Sequence, residues 1–338
     1  MDRETGYITG GDEDGIPAGV IREMIRRSLE SATPAPGLFR FSSIAFEETP
    51  PFLSSAPSAA IEIGPPKNHR VQDGLLTGFR DFDRITGGLR KGEITTVAGL
   101  PSSGSSTLVQ NISRRIVAAS SEKVVAFFSL DTTEIKLVQR ILGAEARLDW
   151  HSASGGFLRD SEWTRLTESV QRLWNSKLYV TDDHLISLDA VYETCAQRKR
   201  GIGLDLVVLD RVNILGMDYS GDTPPLGETM GELKSIAERL KVPVLLTWTA
   251  EHKQADDVTH RLSLHSLPSA AQVYSDSVLL IHRPDQWNTY SIPDDIPEPH
   301  KGIEVVEVNV ARQTGGPPDT LRLAFNSRWG RYDNVLWD

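Results

Sequence analysis

Ile94-Thr95-Thr96-Val97-Ala98-Gly99-Leu100-Pro101-Ser102-Ser103-Gly104-Ser105-Ser106-Thr107 is the stretch whose reading decides the fold. Ile94 to Ala98 are β-branched or small residues, the pattern of a strand covered on both faces. Two glycines follow, and beyond Ser106 apolar residues recur at helical spacing. A glycine-rich turn between a strand and a helix lets the backbone wrap a phosphate chain, with amides and the helix N-terminus supplying partial positive charge. In that pattern a lysine after the second glycine reaches the β- and γ-phosphates, and a hydroxyl residue follows it. Here Ser105 stands at the lysine position and Ser106 at the hydroxyl position. The cradle is kept and its cation is replaced. Taken out of context, Pro-Ser-Ser-Gly-Ser-Ser reads equally as a surface loop, and Ser106 equally as a helix N-cap.

A second stretch supports the phosphate reading. Leu204-Asp205-Leu206-Val207-Val208-Leu209-Asp210 is a buried strand ending in an acid. An aspartate at the C-terminal edge of a parallel sheet, beside such a loop, holds magnesium through its water shell. The plainer reading of Asp210 is a strand-end carboxylate capping a turn. The candidate nucleotide-binding set is Gly99, Ser102, Ser103, Gly104, Ser105, Ser106 and Thr107, with Ser106 and Asp210 as magnesium ligands. The cofactors expected, where any nucleotide is bound, are ATP and Mg2+.

Working outward, strands and amphipathic helices alternate from Val71 onward, as in a parallel sheet covered by helices on both faces. The strands expected are Ile94 to Ala98, Val124 to Ser129, Leu178 to Val180, Leu204 to Leu209, Val242 to Thr247 and Ser277 to His282. Helices are expected after Ser106, Glu134, Asp160, Leu188 and Gly227, and an antiparallel extension over Ile303 to Val310 and Thr320 to Phe325. Residues 71–338 thus form one α/β domain. Residues 1–70 read as a tail: a short amphipathic helix over 16–30, with Ile16, Val20, Ile21, Met24, Ile25 and Leu29 on one stripe, then a proline-rich linker. Phe39, Phe41, Phe46 and Phe52 in that linker either pack on the chain's own core or anchor it to a partner.

The net charge of -10 over 338 residues argues against nonspecific coating of nucleic acid. One cysteine, Cys195, gives no disulfide framework, and no Cys/His cluster has zinc spacing. No apolar run approaches membrane-spanning length, and the polar N-terminus lacks a signal-peptide core. The expectation is a soluble cytoplasmic protein.

Gly74-Leu75-Leu76-Thr77-Gly78-Phe79-Arg80-Asp81-Phe82-Asp83-Arg84-Ile85-Thr86-Gly87-Gly88-Leu89, followed by the loop, resembles the opening of RecA-like P-loop ATPase domains. Phe128-Ser129-Leu130-Asp131, Asp160-Ser161-Glu162-Trp163, Leu178-Tyr179-Val180-Thr181-Asp182-Asp183 and Leu321-Arg322-Leu323-Ala324-Phe325-Asn326 resemble, in order, segments of the DnaB-type replicative helicases. The resemblance runs from about Gly74 to Asn334. It implies a RecA-like P-loop NTPase core: a mostly parallel sheet with helices on both faces and an antiparallel C-terminal extension.

The departures from that family fall at chemical positions. Asp131 matches the glutamate that polarises the attacking water, one methylene shorter. Trp248 matches the γ-phosphate-sensing glutamine and cannot accept a hydrogen bond. Arg312-Gln313-Thr314 matches a Lys-x-Arg pair that reaches a neighbour's site, so Arg312 alone keeps a cation there. Nothing basic lies from Gly99 to Gln110, and Arg114 and Arg115 sit two turns along the helix. The loop 252–272 matches the family's DNA-facing loop; its Lys253 and Arg261 are the candidate DNA contacts, set among Glu251, Asp256 and Asp257. Two functions are therefore in view: a DnaB-like helicase driven by ATP along single-stranded DNA, and a non-hydrolysing relative that binds or assembles. The partners implied are a homo-oligomeric ring, an intact replicative helicase and single-stranded DNA. The family's primase-recruiting helical domain has no counterpart in residues 1–70, so primase coupling is not expected.

Overall fold

Strand β1 (Ile94–Gly99) is buried at every position, as are β2 (Val124–Ser129), β4 (Leu206–Asp210) and β6 (Ser277–His282). Strands with no solvent-facing side belong in the middle of a layered sheet. The structure is a computed structural model and describes residues 74–149, 153, 158–215, 225–287 and 303–335. The helix expected over 16–30 and the linker after it lie outside the described residues.

Together with β3 (Lys177–Thr181), β5 (Val244–Thr249), β7 (Glu304–Arg312), β8 (Asp319–Asn326) and β9 (Arg331–Asn334), these strands form one sheet in the order β3-β2-β4-β5-β1-β6-β7-β8-β9. The first six in chain order pair in parallel, and β7, β8 and β9 continue the sheet antiparallel. This is the expected α/β architecture, with its antiparallel C-terminal extension.

Alternate residues of each central strand feed two apolar layers. On one face Val97, Phe127, Val208 and Leu279 pack beneath α2 (Ser105–Ala119), α3 (Glu134–Ala146) and α4 (Asp160–Trp174), along with α1 (Arg80–Thr86). On the other, Ala98, Phe128, Leu209 and Leu246 meet α5 (Leu188–Gly201), α6 (Leu226–Leu240) and α7 (Ser269–Tyr274). The segment before β1 closes on itself: Leu75 and Leu89 exchange backbone bonds of 2.7 and 2.9 Å, and the buried Asp83 carboxylate accepts from the Thr77 amide, the Thr77 hydroxyl and the Gly78 amide.

Register brings the chemistry to one edge. Gly99 stands opposite Thr249 and Ile281, and Ser129 opposite Asp210. The residues that follow β1, β2, β4, β5 and β6 all leave the sheet on this C-terminal edge, where ligands of open α/β sheets bind. The observed boundaries differ from the expected ones at strand and helix ends: β4 and β5 each start and end later than the apolar runs 204–209 and 242–247, and α2 and α6 begin at Ser105 and Leu226; α1, α7 and β9 are further elements.

Candidate nucleotide site

The loop turns hard at its first glycine. A β-carbon on Gly99 would lie 2.0 Å from Ser103 Oγ, so the chain returns over β1 only because that position is bare. Ser102 holds a left-handed backbone at φ 63, and Gly104, the residue that opens α2, has φ 95. Ser105 and Ser106 begin the helix, whose first-turn amides have no partner within the helix and face the loop. No acid occupies that turn. Ser105 is 7 % exposed, and Thr107 lies beside it, its carbonyl accepting from Asn111. Ser103 Oγ is buried and has no hydrogen-bond partner among the described residues, an orphaned polar atom within the cradle.

Asp210 lies across β5 from the loop, because β5 is placed between β4 and β1. Its Oδ1 accepts from Ser106 Oγ at 2.7 Å and from Thr247 Oγ1 at 2.6 Å, and Thr247 Oγ1 in turn accepts from the Arg211 amide at 2.6 Å. Burial pushes the Asp210 carboxyl up; the two hydroxyls, then Arg140 and Arg211, pull it back. A hydroxyl and a carboxylate oxygen in contact, at a helix N-terminus, form a hard-oxygen pair of the kind that holds magnesium with its waters. The residues present fit ATP and Mg2+ at this step. Gly104 is the N-cap, and the Ser106 side chain bonds Asp210 instead of capping the helix.

The cation is where the fit changes. Arg114 and Arg115 are turned to the far end of α2, on Glu145 and Asp333. Two other guanidiniums are hydrogen-bonded at the site edge, and Arg140 of α3 acts on Asp210 through space. Arg283, just past β6, donates from Nη1 to the Ser102 carbonyl at 2.8 Å, is held by Glu304 through Nε at 3.0 Å, and lies over the Phe325 ring. Arg211, just past β4, donates from Nη1 to Asp131 Oδ2 at 2.5 Å. Nothing basic lies from Gly99 to Gln110 in the chain, and the guanidinium that touches the loop comes from Arg283, 181 residues on from Ser102. The sequence signal for Arg211 is its place directly after Asp210; Arg283, far off in the chain, has none.

Of the remaining candidates, Asp131 and Trp248 belong to this same sheet edge, whereas Arg312 lies at the other one, beside Val278. Asp131 is half-exposed and paired with Arg211. Trp248 is buried in the apolar layer beneath the sheet. Arg312 donates to the Gln272 carbonyl at 2.6 Å, and the Thr314 hydroxyl lies 3.4 Å from Glu93. Lys253 pairs with Glu251 at 2.6 Å, and Arg261 with Glu307. Tyr332, which sequence reading passes over, lies under the loop with its hydroxyl 3.4 Å from the Gly104 carbonyl. Cys195 is buried, its thiol pushed up to about 12. Among the described residues no group of three or more His, Cys, Asp or Glu is placed to hold a metal, and no helix is long and apolar enough to cross a membrane.

Comparison with known proteins gives the family and the fold. The family model of the DnaB-like helicase C terminal domain matches residues 74–334. The replicative DNA helicase DnaB of Geobacillus stearothermophilus is 27 % identical over 269 residues, 78 % of this chain and 57 % of that protein. The replicative DNA helicase DnaC of Bacillus subtilis (strain 168) is 27 % identical over 267 residues, with the same coverage. The chain thus spans little more than half the length of these relatives. Among solved structures, a DnaB-like replicative helicase described with its primase interactions superposes with a TM-score of 0.69 at 21 % identity, covering 78 % of this chain and 62 % of that one. A second solved structure, an ATPase domain on its own, gives 0.67 at 22 % identity, covering 78 % of this chain and 92 % of that one. At that identity the likeness speaks for the fold.

Proposed function

Since the chain belongs to the DnaB-like helicase C-terminal domain family, matched over residues 74–334, we propose that it is a member of that family with a degraded ATP site: a non-hydrolysing protein that binds or assembles in DNA replication or maintenance. The observation that carries this reading is Ser105, a buried hydroxyl at the position from which a lysine would reach the phosphates. ATP with Mg2+, when bound, supplies the phosphate charge that the loop's amides attract. Gly99 to Gly104 and the first-turn amides of α2 would hold that phosphate chain, and Ser106 with Asp210, already in contact with each other, would hold the metal.

Turnover asks for more than a cradle. Loss of one donor aimed at the transition state costs about 3 to 4 kcal/mol, and an arginine finger is worth about 10³ to 10⁵ in rate. This chain has serine for the lysine, tryptophan buried at Trp248 for the sensor, and Thr314 for the finger, and such losses are counted as a set, not summed one by one. What the chain retains is the shape: the core, the loop and the C-terminal strands, with Arg312 exposed on β7 as a cation for a neighbouring subunit. The partners proposed are further copies in a ring, or an intact replicative helicase whose ring it enters or caps.

The test is phosphate release from MgATP by the purified chain, with and without single-stranded DNA, and co-purification with the host's replicative helicase. Release at background in both conditions, with the helicase retained, is the expected result. DNA-stimulated release would overturn the non-hydrolysing reading in favour of an active ATP-driven helicase.

A further inference from the structure

Asp131 and Arg211 stand side by side at the sheet edge: one carboxylate just past β2, one guanidinium just past β4. The strands are neighbours in parallel register, with Ser129 opposite Asp210, so the two side chains leave the same edge together. Their contact is a single 2.5 Å bond from Nη1 to Oδ2, between side chains 35 % and 45 % exposed. The Arg211 Nε is buried and without an acceptor among the described residues. Its backbone is fixed from below, because the amide donates to the Thr247 hydroxyl that also donates to Asp210. A left-handed φ of 68 at Arg211 turns the chain sharply off β4 at this point. Such a backbone on a non-glycine residue costs about 1 to 3 kcal/mol and is kept where its surroundings enforce it.

The contact is also the wrong one for hydrolysis. A carboxylate that must orient water is here occupied by a guanidinium, and an exposed ion pair of this kind is weak, worth about 0 to 1 kcal/mol. A terminal phosphate carries more charge than one carboxylate and offers two oxygens to a planar fork. A phosphate reaching the same edge would therefore compete with Asp131 for the guanidinium.

We infer that Arg211 is the phosphate-binding cation of this chain, taking the place of the lysine lost at Ser105, and that Asp131 holds it until the terminal phosphate of a nucleoside triphosphate displaces that carboxylate. This rests on the reading of the loop as a nucleotide cradle and deepens it: the site reads triphosphate against diphosphate through an arginine from β4 and does so without turnover. Arg283 has a different part. Tied to Glu304 and to the Ser102 carbonyl, it shapes the loop and is not free to change partners.

The two halves of the ion pair give the test, because they should act with opposite sign. Calorimetric binding of MgATP and MgADP is measured for the full chain, Arg211→Gln and Asp131→Asn, with melting curves to check each fold. Arg211→Gln should weaken MgATP about tenfold or more while changing MgADP less, the size expected for losing one charge-assisted contact. Asp131→Asn should tighten MgATP about threefold, since it removes the competitor. A bridge that merely stabilises the edge would move both variants the same way, and that outcome overturns the inference, as does no shift in either. Should Arg211→Gln fail to fold, Asp131→Asn still decides, because its half-exposed side chain is held by Arg211 at the surface and is not part of the core. Absence of nucleotide binding by the wild-type chain removes the role of Arg211 but leaves the non-hydrolysing assembly reading standing. DNA-stimulated phosphate release overturns the non-hydrolysing reading and with it the absence of turnover inferred here, while the opposite signs of the two variants still decide whether Arg211 binds the phosphate.

Discussion

Gly104 meets two demands at once, since its φ of 95 disfavours any side chain and a β-carbon there would lie 2.3 Å from the Tyr332 hydroxyl. Holding a non-glycine residue at positive φ costs about 1 to 3 kcal/mol, and the overlap adds to it. Gly104→Ala should therefore lower the melting temperature, and Tyr332→Phe should recover part of the loss by vacating the hydroxyl's space while the backbone term stays. Denaturant melts of the two single variants and the double close a cycle; the double should be less unstable than the sum of the singles by about 1 kcal/mol, and additivity would show that the hydroxyl is not what confines the loop. At this scale the sequence discloses whatever is contiguous. Gly99 through Thr107 and Asp210 are legible because a loop between strand and helix, and an acid closing a strand, are local patterns. Asp131–Arg211 and Ser102–Arg283 are not, because their partners are 80 and 181 residues apart in the chain and meet only where parallel strands end together.

At the scale of elements, the start of α3 shows how a helix is held from outside. Its N-cap residue Thr133 gives no side-chain bond; instead Asp182, just past β3, accepts from the Glu134 amide at 2.8 Å. Burial first, and then the Asp182 carboxylate, pushes Glu134 up to about 7. Glu134 thus binds a proton in the folded chain over a range where the unfolded chain has released it, so its contribution favours folding below its ordinary value near 4.5 and is lost as pH rises through about 7. Glu134→Gln should melt above the wild type at pH 8 and together with it at pH 4; a gap that is independent of pH would dissociate the effect from the proton. The other end of α3 is fastened by charge: Glu145 takes both Arg114 from α2 and Arg172 from α4, and Arg331 of β9 donates to the Ala144 carbonyl. The central strands and long helices are legible from apolar runs and helical spacing, since both faces of the sheet are covered and every buried strand reads as continuous. Helices α1 and α7 and strand β9 are not, being four to seven residues long and stabilised by contacts with distant parts. In β9, Tyr332 is fully buried against Phe325 at 4.5 Å between ring centroids, a tertiary fact with no periodic trace.

For the whole molecule the governing quantity is charge. A net of -10 repels a polyanion, and the two cations of loop 252–272, the candidate DNA contacts, are each paired with an acid, Lys253 with Glu251 and Arg261 with Glu307. A motor that tracks a strand needs a line of uncompensated cations, because the affinity comes from counterions released at each phosphate. Each phosphate neutralised on a single strand contributes about 0.7 to the slope of log affinity against log salt, so two cations at most give a slope no steeper than about -1.4. Fluorescence anisotropy of a labelled oligonucleotide across a salt series reads this directly. We expect weak binding with that shallow slope for the wild type, and tighter binding for Glu251→Gln, which frees Lys253 while leaving the fold intact at an exposed position. A slope several times steeper would mean that cations from adjoining subunits line the strand together, and the isolated chain's acidity would then be a poor guide to the surface that an assembled ring presents.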